Sequence, residues 1–207
     1  IIQANIPVPL FEIAHLTPGI TVFGLSFMTL FSATVLSRDR GSALLARLYT
    51  TPLTAADFIL GYTLPILPLA VLQCAICYLF ALPFGLPLSL GILYAMLGIL
   101  PVSLLYIAMG LLFGSILTDK QVGGVCGALL TNLSAWLSGI WFDLSLVGGV
   151  FQRIAYLLPF AHAVELERAL LSCDFAAVPG HLFPVLGYAA ATLLLAILLF
   201  LRKMRHT

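Results

Sequence analysis

The stretch FILGYTLPILPLAVLQCAICYLFALPFGLPLSLGILYAMLGILPVSLLYIAMGLLFGSILT fills positions 58–118, between Asp57 and Asp119. Its 61 residues include no Asp, Glu, Lys or Arg. As one helix it would run about 90 Å at 1.5 Å per residue, roughly three times the hydrocarbon core of a bilayer. It must therefore turn back on itself. Pro83-Phe84-Gly85-Leu86-Pro87 is the obvious turn, which predicts two spans at about 58–82 and 88–117.

The same spacing of charges continues outward in both directions. The 25 residues between Glu12 and Arg38 carry no acid, Lys or Arg, enough for a span over 17–36. Positions 121–142 give a further uncharged run, and 181–201 another. Segment 143–180 differs. It holds six charges and is broken by Pro159, Pro179 and Gly180. The residues around Pro159 read as two short helices within 147–171, lying in the interface or dipping back into the membrane. Irregular backbone at that depth is tolerated only where protein or water covers it. The expectation is an all-α polytopic membrane protein, a single domain over 1–207 with five spans.

Composition agrees. Of 207 residues, 62 % are hydrophobic and 8 % charged, with a mean hydropathy of +1.15. Soluble domains carry about 25 % charged residues, so this chain could not cover a water-facing surface. A soluble enzyme, a disordered chain and a nucleic-acid binder are excluded. The net charge of +1 carries no information on partners, because the charges are segregated. Four cysteines are too few for a disulfide framework; Cys74, Cys77 and Cys126 fall in apolar runs as small hydrophobes.

Lys and Arg set the orientation. Segment 38–57, the turn near Lys120 and the tail after Leu201 hold seven of them; the opposite connections hold only Arg153 and Arg168. Segment 38–57 and the C-terminus are thus expected in the cytoplasm of a plasma-membrane protein, with the first residues outside. No secretory signal precedes the first span, so a further span upstream is expected, six in the intact protein.

The cytoplasmic segment reads Arg38-Asp39-Arg40-Gly41-Ser42-Ala43-Leu44-Leu45-Ala46-Arg47-Leu48-Tyr49-Thr50-Thr51-Pro52. Leu44, Leu45 and Leu48 cluster on one helical face, with Arg40 and Arg47 beside them. Pro52 restricts Thr51 and ends the helix. Thr54-Ala55-Ala56-Asp57 has the form of an N-cap before the next span. A short amphipathic helix follows, either an interfacial anchor or a docking knob for a soluble partner.

Taken together, the Asp39-Arg40-Gly41-Ser42 stretch, the Arg47 to Leu53 stretch and Asp57-Phe58-Ile59-Leu60-Gly61-Tyr62 resemble the first cytoplasmic connection of ABC type-2 exporter permeases. Leu158-Pro159-Phe160-Ala161-His162-Ala163, followed by Glu165-Leu166-Glu167-Arg168, is also similar to that family, in its outer half-helices before the last span. The resemblance implies a permease moving a substrate across the membrane. Its coupling helix would seat in a groove of a separate ATPase subunit that holds ATP and Mg, with no cofactor on this chain. It implies pairing with a second permease subunit, as homo- or heterodimer. Arg38, Asp39, Arg40, Gly41, Leu44, Leu45, Arg47, Leu48, Thr51 and Pro52 are the expected coupling residues; Pro159, His162, Glu165 and Arg168 form a candidate outer gate.

What is missing also bears on function. No Gly-x-x-x-x-Gly-Lys-Ser/Thr loop occurs, so ATP phosphates are not cradled here by that route. The five expected spans contain no Asp, Glu, Lys or Arg, which argues against ion-coupled transport. His15, His162, His181 and His206 match no metal spacing. Glu165 and Glu167 diverge by about 200° on a helix, whereas Glu165 and Arg168 can pair. Gly110-x-x-x-Gly114 and Gly123-x-x-x-Gly127 permit close helix contact, within the chain or between copies. Gln73, Thr131, Asn132 and Ser134 are candidates for interhelical hydrogen bonds. Two other classes fit the same segments: a membrane scaffold docking a soluble partner, and a membrane-embedded lipid-modifying enzyme using Glu165 or Glu167.

Overall fold

The computed structural model describes residues 12–40, 42 and 54–204. Helix α1 (Ile13–Arg40) opens the fold. Its hydroxyls bond back to their own helix: Thr17 to the Ile13 carbonyl, Thr21 to Thr17 and Thr34 to Leu30. Polar side chains are thereby satisfied in an apolar setting without breaking the helix. Helix α2 (Ala55–Ala81) begins at the expected cap. The Thr54 hydroxyl accepts from the Asp57 amide at 3.2 Å, and the Asp57 carboxylate accepts from the Thr54 amide at 2.9 Å.

The expected turn is a short 3-10 segment, Leu82–Phe84, closed by Gly85 at φ 104°. That left-handed conformation favours glycine. Helix α3 (Leu90–Ile116) then runs back antiparallel and forms the centre of the bundle, packed by α1, α2 and the two last helices. Tyr106, Leu105, Ile99 and Leu111 on it are fully buried.

After α3 the chain forms α4 (Asp119–Val122), a π-helical stretch Gly123–Leu130 and α5 (Thr131–Leu137). The run expected as one span over 121–142 is therefore a composite helix that ends at Leu137. Three glycines, Gly123, Gly124 and Gly127, fall in the π-helical part. The Thr131 hydroxyl bonds the Cys126 carbonyl five residues back at 2.9 Å, matching the wider π-helical register. Among the described residues, four helical segments are long and apolar enough to cross a membrane: Ile13–Arg40, Asp57–Phe84, Leu90–Ile116 and Val178–Phe200.

The segment before the last helix folds as α6 (Leu144–Val147), α7 (Gly149–Leu157) and α8 (Pro159–Leu171). Pro159 starts α8 at a position where its missing amide donor costs nothing. Leu158 just before it is extended, as a pre-proline residue prefers. The elbow lies deep: Phe160 packs 6.4 Å from the Tyr106 ring in the middle of α3, and the Tyr188 hydroxyl bonds the Leu157 carbonyl. The other end of α8 meets the start of α3, where Leu171 covers Gly91. Helices α7 and α8 thus form a hairpin that enters the bundle and returns. Helix α9 (Val178–Met204) closes the fold.

Glycines on α3 set the close approaches. A Cβ at Gly110 would lie 1.8 Å from the Ser32 hydroxyl, and one at Gly114 2.8 Å from the Ala33 carbonyl. Gly110-x-x-x-Gly114 therefore packs within the chain, against α1. Nothing lies within 4 Å of a Cβ at Gly123.

Candidate functional site

Two ends of the bundle carry polar groups. At one end, three consecutive residues close α1 and each reaches a different helix, since successive side chains diverge by about 100°. Arg38 pairs with Asp119 of α4 at 3.2 Å. Asp39 accepts from the Tyr62 hydroxyl of α2 at 2.9 Å. Arg40 donates to the carbonyls of Gly114 and Leu117 at the end of α3, at 2.5 and 3.3 Å. Those carbonyls have no partner further along their own helix, and a cation there opposes the negative end of the helix dipole. Arg38 and Asp119 are 69 % and 48 % exposed, so their pair adds little stability. The three contacts form a collar at this end of α1, and Arg38, Arg40 and Asp119 line an open cleft of about 430 Å³. The chain leaves this collar directly into segment 41–53.

At the opposite end Arg168 ties three parts together. It pairs with Glu165 at 2.7 Å, and donates to the carbonyls of His15 at 3.3 Å and Gly139 at 3.2 Å. Its side chain is only 12 % exposed. An open cleft of about 380 Å³ beside it is lined by His15, Glu165, Asp174 and His181. His162 and His181 meet through their Nδ1 atoms at 3.0 Å, joining α8 to α9. The Nε2–H of His162 donates to the Tyr156 carbonyl at 2.9 Å; in the neutral imidazole Nδ1 is then the acceptor for the His181 N–H. Nearby, the Ser145 amide donates to the Asp143 carboxylate at the start of α6 and holds its pKa below the usual carboxylate value.

Between these ends lies a fully buried carboxyl. Glu167 of α8 has 0 % exposure and points between α2 and α3. One oxygen accepts from the Tyr78 hydroxyl at 3.4 Å; the other has no hydrogen-bond partner among the described residues. An unpaired buried charge costs about 3–5 kcal/mol, against about 1–3 kcal/mol for an unsatisfied neutral polar group. The neutral acid wins, and burial pushes the pKa of Glu167 well above the ordinary carboxylate value.

A family model described as ABC-2 type transporter matches residues 2–171. The chain belongs to the ABC-2 type transporter family. No curated protein and no solved structure gives a significant match. Membership in the ABC-2 family, with four long apolar helices, makes the chain a multi-pass membrane permease. Within that family its collar lies at the junction of α1 with the connection to α2, and its hairpin just before the last helix.

Of the expected coupling residues of this ABC-2 protein, Arg38, Asp39 and Arg40 are gathered at the collar, each engaged within the chain. Gly41, Leu44, Leu45, Arg47, Leu48, Thr51 and Pro52 lie outside the described residues. Pro159, His162, Glu165 and Arg168 all lie on α8, but not as one cluster. His162 faces α9, whereas Glu165 and Arg168 face the cleft. Glu165 and Arg168 pair as expected, while Glu167 turns the other way into the bundle. Ser134 makes an interhelical bond to Tyr106 at 2.9 Å. Asn132 and Thr131 instead bond within their own helical run. Gln73 lies over Gly24, where a Cβ would sit 1.9 Å from its amide nitrogen, and its buried oxygen has no partner. Among the described residues no group of three His, Cys, Asp or Glu is arranged to hold a metal.

Sequence reasoning missed Glu167 as a buried group because it placed segment 143–180 outside the spans. The available signal was its neighbourhood: Val164, Leu166, Ala169 and Leu170 surround it. Together with Pro159, they mark a helix with an apolar face able to enter the bundle.

Proposed function

We propose that this permease is the membrane-spanning subunit of an ATP-driven exporter. A separate ATPase subunit binds ATP and Mg and docks on segment 38–57, and a second permease subunit completes the pathway. This chain performs no bond chemistry itself. The domain extends over 1–207, and the composite helix Asp119–Leu137 serves as a fifth crossing. The collar end and the tail face the cytoplasm, and the α7–α8 hairpin lies on the outer side, as the bias of Lys and Arg favours.

The observation that carries this proposal is the collar. In a chain of the ABC-2 family, the first residues of the expected docking segment are each fastened to a different helix: α4, α2 and α3. A displacement of segment 41–53 by a closing ATPase would be passed to three helices rather than one. ATP acts by population shift, through contacts that differ between the two orientations of the helices.

Co-purification tests docking. The intact permease in nanodiscs is incubated with a candidate ABC ATPase subunit. The wild-type chain should retain the ATPase, and Arg47→Glu combined with Leu48→Glu should lose it while eluting as a folded permease. Equal retention by both proteins would exclude segment 41–53 as the dock. Arg40 is unsuited to this test, because its substitution uncaps α3.

A further inference from the structure

Glu167 is a carboxyl that the permease carries into its bundle with no cation to match it among the described residues. The nearest arginine, Arg168, follows it in sequence but turns toward Glu165 and the carbonyls of His15 and Gly139. The groups that face Glu167 come from two helices. Helix α2 presents the Tyr78 hydroxyl, at 3.4 Å from one carboxyl oxygen, and the buried Cys74 thiol. Helix α3 carries no charged residue between Leu90 and Ile116. It presents Gly98, where a Cβ would lie 2.9 Å from the second carboxyl oxygen. Glycine at that position leaves room for the Leu170 side chain, which a Cβ would meet at 2.2 Å, and for the carboxyl, whose second oxygen has no hydrogen-bond partner among the described residues.

The residue also sits where movement would matter. Helix α8 is the returning arm of a hairpin whose elbow is fastened to α9 through Tyr188, and whose far end abuts Gly91. Swinging α8 away from α2 and α3 would admit water to Glu167 before any other acid of the hairpin changes its surroundings, since Glu165 already lines an open cleft.

We infer that Glu167 is a proton-binding site: α8 packs on α2 and α3 with this carboxyl protonated, and moving α8 outward hydrates it and releases the proton. The O–H bond breaks, the proton passes to water, and the carboxylate remains in the opened gap. Closure requires the reverse, so the closed arrangement holds one more proton than the open one, and raising the pH favours opening. This does not depend on an ATPase partner, and its test contains none.

The test is infrared spectroscopy of the intact permease in nanodiscs, comparing wild type with Glu167→Gln near neutral pH. The wild type should show the carbonyl stretch of a protonated carboxylic acid, and the variant should lack it. Tyr78→Phe should shift that band without abolishing it, which keeps the test decisive if the Gln variant does not fold. A second arm reads movement. Spin labels are placed on the exposed Cys173 and on Leu88→Cys in a Cys77→Ser background. Raising the pH from about 5 to about 9 should weaken the dipolar coupling between them in wild type and leave it unchanged with Glu167→Gln. A spectrum with only ionised carboxylate for Glu167 at neutral pH would overturn the inference. So would the same pH-dependent separation in the Gln variant.

Discussion

At the residue scale, side chains of the same charge make very different contributions in this molecule. Arg40 and Arg38 lie two apart, yet Arg40 satisfies two carbonyls at the end of α3, while Arg38 forms an exposed pair. Arg40→Ala should lower unfolding stability by about 1.5–3 kcal/mol, the range for hydrogen bonds to a charged group. Arg38→Ala should change it by about 0.5 kcal/mol or less. Chemical denaturation in detergent micelles checks both. Glu167 gives a pH signature whose sign follows from its raised pKa. The folded state holds the proton more tightly than the unfolded one. Its contribution is therefore fully present below the ordinary carboxylate pKa and is lost as pH rises toward the folded-state value. The melting temperature of the wild type should fall across that window, and that of Glu167→Gln should not follow it. A flat wild-type profile would mean that the carboxyl is already ionised in the fold.

At the scale of elements, α3 depends on where it lacks side chains. Gly110→Leu should separate α1 from α3, because even a Cβ there meets the Ser32 hydroxyl at 1.8 Å and the Thr29 carbonyl at 2.6 Å. Overpacking of this kind costs about 1–3 kcal/mol or more. Gly123→Leu, with open space around it, should leave the melting temperature nearly unchanged. Thermal unfolding of the two variants side by side separates a packing glycine from a free one. These long helices were legible in the sequence, because uncharged runs of about 20 residues have few other uses. Pro83 to Pro87 placed the turn, and Thr54 with Asp57 placed the start of α2. The π-helical stretch was not legible, since Gly123–Leu130 has the same apolar composition as an α-helical span. The depth of the hairpin was hidden for a different reason. Six charges in 143–180 left the segment either in the interface or dipping back into the membrane, because their partners lie in the tertiary structure: Arg168 on carbonyls of distant elements and Glu167 beneath Tyr78.

At the scale of the whole molecule, α3 is surrounded by α1, α2, α8 and α9, with a collar at one end and an inserted hairpin at the other. Leu79, Phe80 and Phe183 project outward at 65 %, 66 % and 71 % exposure, as a lipid-facing surface requires. The candidate site was partly legible from the order of its motifs. Arg38, Asp39 and Arg40 were expected to dock an ATPase; what the structure places on them is the fastening of the end of α1 to three helices. That could not be read from spacing alone, because the acceptors at Gly114, Leu117 and Asp119 are about 75–80 positions away in sequence. Cutting one link of the collar should therefore weaken transmission without removing the dock. Asp39→Asn with Tyr62→Phe should leave ATPase binding intact and reduce any coupling of hydrolysis to permease movement, read as spin-label distance changes on adding ATP.

The most direct test of the central claim is the ATP hydrolysis rate of the partner subunit with and without the intact permease in nanodiscs. The rate should change on adding the wild-type permease and return to that of the free ATPase with Arg47→Glu plus Leu48→Glu. An unchanged rate with the folded wild-type permease would contradict ATPase coupling.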